Sequence, residues 1–191
     1  MDLYEAIEKR RTIRIFQEPA TEEQLRNILL SGSKAPSAVN SQPWEFIIVE
    51  DQSIIAQLAD IKHKVTLSMP TKTEEDREKV EKRAAAQKAS FNNASIVTVC
   101  GKVGGAKSVW LAIENISLAA VAEGLGSGIV LYPKDEMDKI GELLGLPSGY
   151  EPAAVLKIGV PGEKGHSRDK NPYSPRRPDF SWLHKDRFRA K

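Results

Sequence analysis

The stretch 109–122 constrains the fold of this chain more than any other segment. Only Glu114, Asn115 and Ser117 interrupt an otherwise apolar run of helical length, so the helix is expected to be buried on nearly every side. A chain of 191 residues rarely hides a helix so completely by itself. The economical solution is a second copy of the same chain, a homodimer with this helix at its interface.

The rest of the chain is consistent with one domain spanning 1–191, with 162–191 as a C-terminal arm. Apolar residues make up 40% and charged residues 28%, which excludes a disordered chain, and roughly 70% of the unfolded surface can be buried at this size. The single cysteine, Cys100, cannot form an internal disulfide and sits in the apolar run Ile96-Val97-Thr98-Val99-Cys100, as a reduced core residue would. No run reaches the ~20 apolar residues of a membrane span, and Met1-Asp2-Leu3-Tyr4-Glu5 lacks the pattern of a signal peptide. The expected location is the cytoplasm. Net charge is only +2, but 163–191 carries nine basic against four acidic residues, which leaves the remainder slightly acidic. A nucleic-acid binder would carry a larger basic surplus.

Asp2 with Glu5, and Thr21 with Gln24, form capping-box patterns. The first helix runs to Lys9 with Leu3, Ala6 and Ile7 as its apolar face; the second carries Leu25, Ile28 and Leu29 and stops at Gly32. Two prolines keep 35–44 out of helix, and the apolar run 46–49 reads as a strand buried on both faces, followed by a helix that Asp51 caps. That helix repeats Ile54, Leu58, Ile61 and Val65, and the charged run 74–83 beyond it reads as a solvated helix face or a mobile lid. Further strands are expected at 95–100, 129–131 and 154–160, with a helix through Met137, Ile140, Leu143 and Leu144. Tyr173, Phe180 and Trp182 suggest that the arm wraps around something.

Serine-hydrolase elbows, Walker loops and zinc spacings are absent, and His63, His166 and His184 are scattered, so no metal site is expected. Gly124-Leu125-Gly126-Ser127-Gly128 follows a helix and precedes a strand, the reverse of the order in a dinucleotide-phosphate loop. Arg10-Arg11-Thr12-Ile13-Arg14 offers guanidinium forks and a hydroxyl suited to a phosphate, although such a cluster also commonly ends a helix. Ser37, Asn40 and Gln42 stand in a proline-braced loop, polar groups of the kind that recognise a flat heterocycle.

Five motifs then fall in register: Arg10-Arg11-Thr12-Ile13-Arg14-x-Phe16, Ala35-Pro36-Ser37-Ala38-x-Asn40-x-Gln42-Pro43-Trp44, Gly124-Leu125-Gly126-Ser127, Leu143-Leu144-Gly145-Leu146-Pro147 and Ile158-Gly159-x-Pro161. Together they resemble the nitroreductase family of FMN-dependent oxidoreductases. The resemblance implies an α+β, sandwich-like fold with a central antiparallel-rich sheet flanked by helices, and an intertwined homodimer with FMN between the subunits. It assigns Arg10, Arg11, Thr12 and Arg176 to the FMN phosphate and Arg14 to the pyrimidine edge of the flavin. Pro36, Ser37, Ala38 and Asn40 would come from the other subunit. Ile129 and Leu131 would give backbone contacts to the ring, and Tyr132 stands where the family commonly has glycine.

The implied activity moves hydride from NADH or NADPH through bound FMN to a small electron-poor acceptor (a nitroaromatic, quinone or activated alkene) in ping-pong fashion. Arg14 acts as electrostatic stabiliser, and no side chain is needed as acid or base. Reductive dehalogenation and flavin fragmentation are other family activities, but 62–88 matches the lid of neither. A flavin-holding regulatory protein without turnover stands as the alternative from another class.

Overall fold

The structure, a computed structural model, describes residues 1–162 and 182–188. Its elements run α1 (Leu3–Lys9), β1 (Phe16–Pro19), α2 (Glu22–Gly32), a short 3-10 turn (Ala38–Asn40), β2 (Trp44–Val49), α3 (Gln52–Leu67), α4 (Glu74–Ala89), β3 (Ser95–Lys102), α5 (Ala106–Ala122), β4 (Gly126–Val130), α6 (Lys134–Leu143) and β5 (Tyr150–Pro161). This is an α+β arrangement around a five-stranded sheet in which every pairing of named strands is antiparallel. β5 is the hub: it pairs with β3 along most of its length, with β4 through Gly126↔Gly159 to Val130↔Val155, and with β1 at its end. Among the described residues no helix is long and apolar enough to cross a membrane.

The sheet separates two cores because successive side chains of a strand alternate between faces. Val97, Val99, Ala154, Leu156 and Ile158 pack with α2 and α5 on one face. Ile96, Val155 and Val130 pack with α3, α6 and Ile13 on the other. The same alternation puts Lys157 on the second face, beside Val155.

The start signals are largely made as read. Thr21 and Gln24 form a complete capping box, and Asp51 accepts from Ser53 N and Ile54 N. Of the first expected box only half is present: Asp2 accepts from Glu5 N, while the Glu5 carboxylate pairs with Lys9 Nζ at 2.6 Å.

Several expectations are corrected. In α1 only Ala6 is buried, and Leu3 and Ile7 face out with Tyr4. α5 buries Val109, Ala112, Ile113, Ile116 and Ala120 within the chain but leaves Trp110 and Leu111 exposed, because no other described element covers that side. β2 is not covered on both faces: it lies at the edge of the sheet and Ile48 is 41% exposed. β4 begins at Gly126, three residues before the expected strand, and β1 was not foreseen at all. The charged run forms the solvated helix α4, which packs along α3 and buries only Ala84. Cys100 is a core residue, and burial, with Glu45 adding to it, pushes its thiol up to about 12.

Candidate active site

The segment after α1 is positioned by β4. Ile13 N donates to Ser127 O at 2.8 Å, and Thr12 bridges Ser127 in parallel. Ile13 itself is buried, and its approach explains two glycines. A Cβ at Gly126 would lie 2.3 Å from Ile13 Cγ1, and one at Gly128 would lie 2.4 Å from Ile13 O. The glycine motif of the sequence is therefore the packing surface of a strand.

Strapped in this way, Thr12, Ile13 and Arg14 line a cleft of about 250 Å³ with Gly128, Ile129, Val130 and Leu131, under Lys62 of α3 and Arg83 and Gln87 of α4; Lys157 forms part of the lining from β5. Four cations and no carboxylate are among these residues. Lys62 Nζ donates to Leu131 O at 3.0 Å, and burial, followed by the nearby Arg83 charge, lowers its pKa. Lys157 is 5% exposed; its ammonium donates to Ser90 Oγ and lies 5.1 Å from the centre of the Phe91 ring. Burial, then the charges of Arg14 and Lys62, bring Lys157 down to about 8.

The cleft gathers Thr12, Arg14, Ile129 and Leu131 of the expected set. Arg10 and Arg11 are outside its lining. Arg10 Nε lies 3.8 Å from Glu114 Oε1, and Arg11 Nη1 donates to the carbonyls of Glu8 and Arg10, at the C-terminal end of α1. Pro36, Ser37, Ala38 and Asn40 do not line the cleft of their own chain. They belong to a loop held by Gln42 N donating to Ser37 Oγ at 2.9 Å, with Val39, Asn40 and Gln42 in the left-handed region. Arg176 lies outside the described residues. Tyr132 turns into the core, where its hydroxyl donates to Leu58 O at 3.1 Å. Lys62, Arg83, Gln87 and Lys157 were not foreseen; the one signal was a lysine inside the apolar run 154–160.

This donor set fits FMN. Cations without competing carboxylates suit a ligand that is anionic at one end and gains negative charge on its ring. Among the described residues there is no cluster of His, Cys, Asp and Glu able to hold a metal ion.

Comparison with known proteins agrees. Residues 7–160 match the model of the Nitroreductase family. A relative described as iodotyrosine deiodinase, from Thermotoga neapolitana, is 30% identical over 84% of this chain and 89% of its own. A second, described as a putative NADH dehydrogenase/NAD(P)H nitroreductase, from Archaeoglobus fulgidus, is 29% identical over 81% of this chain and 83% of its own. A crystal structure of oxidized iodotyrosine deiodinase bound to FMN and 3-iodo-L-tyrosine superimposes with a TM-score of 0.79 at 27% identity, covering 98% of this chain and 100% of that one. The chain belongs to the nitroreductase family, whose members are generally flavin-using oxidoreductases.

Proposed function

We propose that the protein is an FMN-dependent oxidoreductase that takes reducing equivalents from NADH or NADPH and delivers them to a small electron-poor acceptor such as a nitroaromatic, a quinone or an activated alkene. The observation that carries this reading is the acid-free cationic cleft built by Thr12 and Arg14 against β4. In it FMN, when bound, supplies the hydride chemistry.

The chain's own residues bind and polarise. Arg10, Arg11 and Thr12, with Arg176, would hold the phosphate, Arg10 and Arg11 by exchanging their contacts with Glu114 and the carbonyls at the end of α1 for it; Arg14 would set its fixed charge beside the ring and favour the reduced, anionic form. Ile129 and Leu131 offer backbone contacts. Pro36, Ser37, Ala38 and Asn40 reach the cofactor of a second copy, so the working unit is a homodimer in the cytoplasm. The exposed Leu3, Tyr4, Ile7, Trp110 and Leu111 support that assembly, since apolar side chains of this size gain by being covered. Donor and acceptor use the cleft in turn, which predicts ping-pong kinetics.

A second reading, reductive dehalogenation of a halogenated aromatic, is favoured by the likeness to iodotyrosine deiodinases over most of both chains. It uses the same cleft and the same cofactor.

The experiment begins with the visible spectrum of the protein purified without added cofactor, followed by release and identification of any flavin. Stoichiometric FMN, then donor oxidation on adding nitroaromatics or quinones, supports the first reading. Halide release from a halophenol without turnover of nitroaromatics selects the second. A colourless protein that fails to take up FMN overturns both, and bound FMN without turnover of any acceptor leaves a flavin-holding protein.

A further inference from the structure

Lys157 stands at a position where the pattern of β5 calls for an apolar residue. Its neighbours Val155 and Gly159 share its face of the strand, and the residues paired across from it are Ile96 on β3 and Gly128 on β4. Gly128 lies alongside the lysine: a Cβ there would be in ordinary contact with Lys157 Cε, at 3.6 Å. At its tip, the Ser90 hydroxyl donates to Gln87 O at 2.6 Å and so offers its lone pairs to the Lys157 amine. An ammonium has three N–H groups, and Ser90 satisfies one.

Among the described residues, the charged groups facing Lys157 are all cations. Arg14 comes from the strap beside β4, Lys62 from α3 and Arg83 from α4; Gln87, Ser90 and Phe91 complete the surround without charge. A cation buried among cations is held near the limit at which it loses its proton, and burial with Arg14 and Lys62 places that limit at about 8. Negative charge arriving in the same cleft reverses the balance.

We propose that Lys157 is a second electrostatic lever on the flavin of this cleft, one that binds a proton when the flavin is reduced, whereas Arg14 keeps its charge throughout. The inference rests on the flavin reading given above. As two electrons and one proton reach the flavin from the donor, the Lys157 amine takes a second proton from solvent and becomes an ammonium, offsetting the new negative charge. Above the pKa it has beside oxidised FMN, reduction therefore consumes two protons per two electrons; below that pKa it consumes one.

The test is the midpoint potential of the FMN-loaded full-length protein from pH 6.5 to 10, after flavin content has been measured. The wild-type potential is expected to fall twice as steeply with pH above the pKa that Lys157 has beside oxidised FMN as it does below it, the flavin-free value being about 8. Lys157→Arg keeps the charge and removes the titration, so the steep window disappears while the potential stays high. Lys157→Met loses both, with at least a tenfold loss in preference for reduced over oxidised FMN, a drop of about 30 mV for a two-electron couple. A uniform slope of one proton per two electrons in the wild type overturns the proposal, even if Lys157→Met fails to fold. A Lys157→Arg slope equal to that of the wild type also overturns it. Absence of FMN from the wild-type protein overturns the flavin reading instead.

Discussion

Lys62 Nζ donates to the carbonyl of Leu131 across 3.0 Å, tying the middle of α3 to the residue that follows β4. The bond joins residues 69 positions apart and fixes one wall of the cleft against another. Lys62→Met keeps the apolar stem and removes the donor. The expected loss is about 1 kcal/mol, in the range of a partly exposed hydrogen bond, because water can reach the freed carbonyl. It is read as a lower denaturant midpoint at unchanged slope. FMN should also dissociate more readily. An unaltered midpoint would mean that the contact contributes nothing in solution.

Gly128→Ala tests the strap. The added methyl would meet Ile13 O at 2.4 Å, and a backbone oxygen gives way only if the segment carrying Thr12 and Arg14 shifts with it. The expected cost is roughly 1–3 kcal/mol, with FMN retention falling at least tenfold. Gly141→Ala serves as the contrast. Its methyl would come no closer than 3.5 Å to Pro152, and it replaces glycine inside α6, so stability should rise by up to about 1 kcal/mol. Equal effects from the two variants would remove the strap from the account of the site.

The difference between these glycines bears on what was readable from the sequence. Periodicity located α2, α3 and α6 because each has apolar residues at helical spacing and a start or stop signal, and α5 stood out by its apolar run of helical length. The arginine motif led to Thr12 and Arg14. β1 escaped because Phe16-Gln17-Glu18-Pro19 has one apolar side chain before a proline, too little for a period-2 signal. β4 was placed late because Gly126-Ser127-Gly128 has loop composition, and only the nearby Ile13 explains glycine in that strand. The apolar run 46–49 shows that a strand can form, but whether anything covers Ile48 depends on the neighbouring layer. Lys157 and Lys62 were missed for a related reason: what makes each significant is the set of cations that the fold brings alongside it.

The structural role of Tyr132 gives a direct prediction. Its hydroxyl donates to Leu58 O inside the core at 3.1 Å, and burial raises its pKa well above the ordinary tyrosine value, so it remains an O–H donor in alkaline solution. Tyr132→Phe preserves the ring and removes that donor. The expected cost is about 1 kcal/mol, with FMN affinity little changed because Tyr132 does not line the cleft. A large loss of flavin with unchanged stability would show that the ring leaves the core when the cofactor binds.

Lys157 also makes the stability of the flavin-free protein depend on pH. Its pKa is about 8 in the folded chain, against ~10.4 for an unperturbed lysine when unfolded. Between those values the unfolded chain binds the proton and the folded chain does not, so stability rises with pH across the window. Below about 8 both states carry the proton and the contribution is flat. Integrated over the window, the single group accounts for roughly 3 kcal/mol, an upper figure because neighbouring cations share the titration. The measurement is chemical denaturation of wild type and Lys157→Met from pH 7 to 10.5. Subtracting the two curves cancels most of the contribution of other groups, including Lys62, whose lowered pKa acts in the same direction. The difference should climb with pH in favour of the wild type above pH 8; a flat difference would mean that Lys157 keeps its proton in the folded chain throughout.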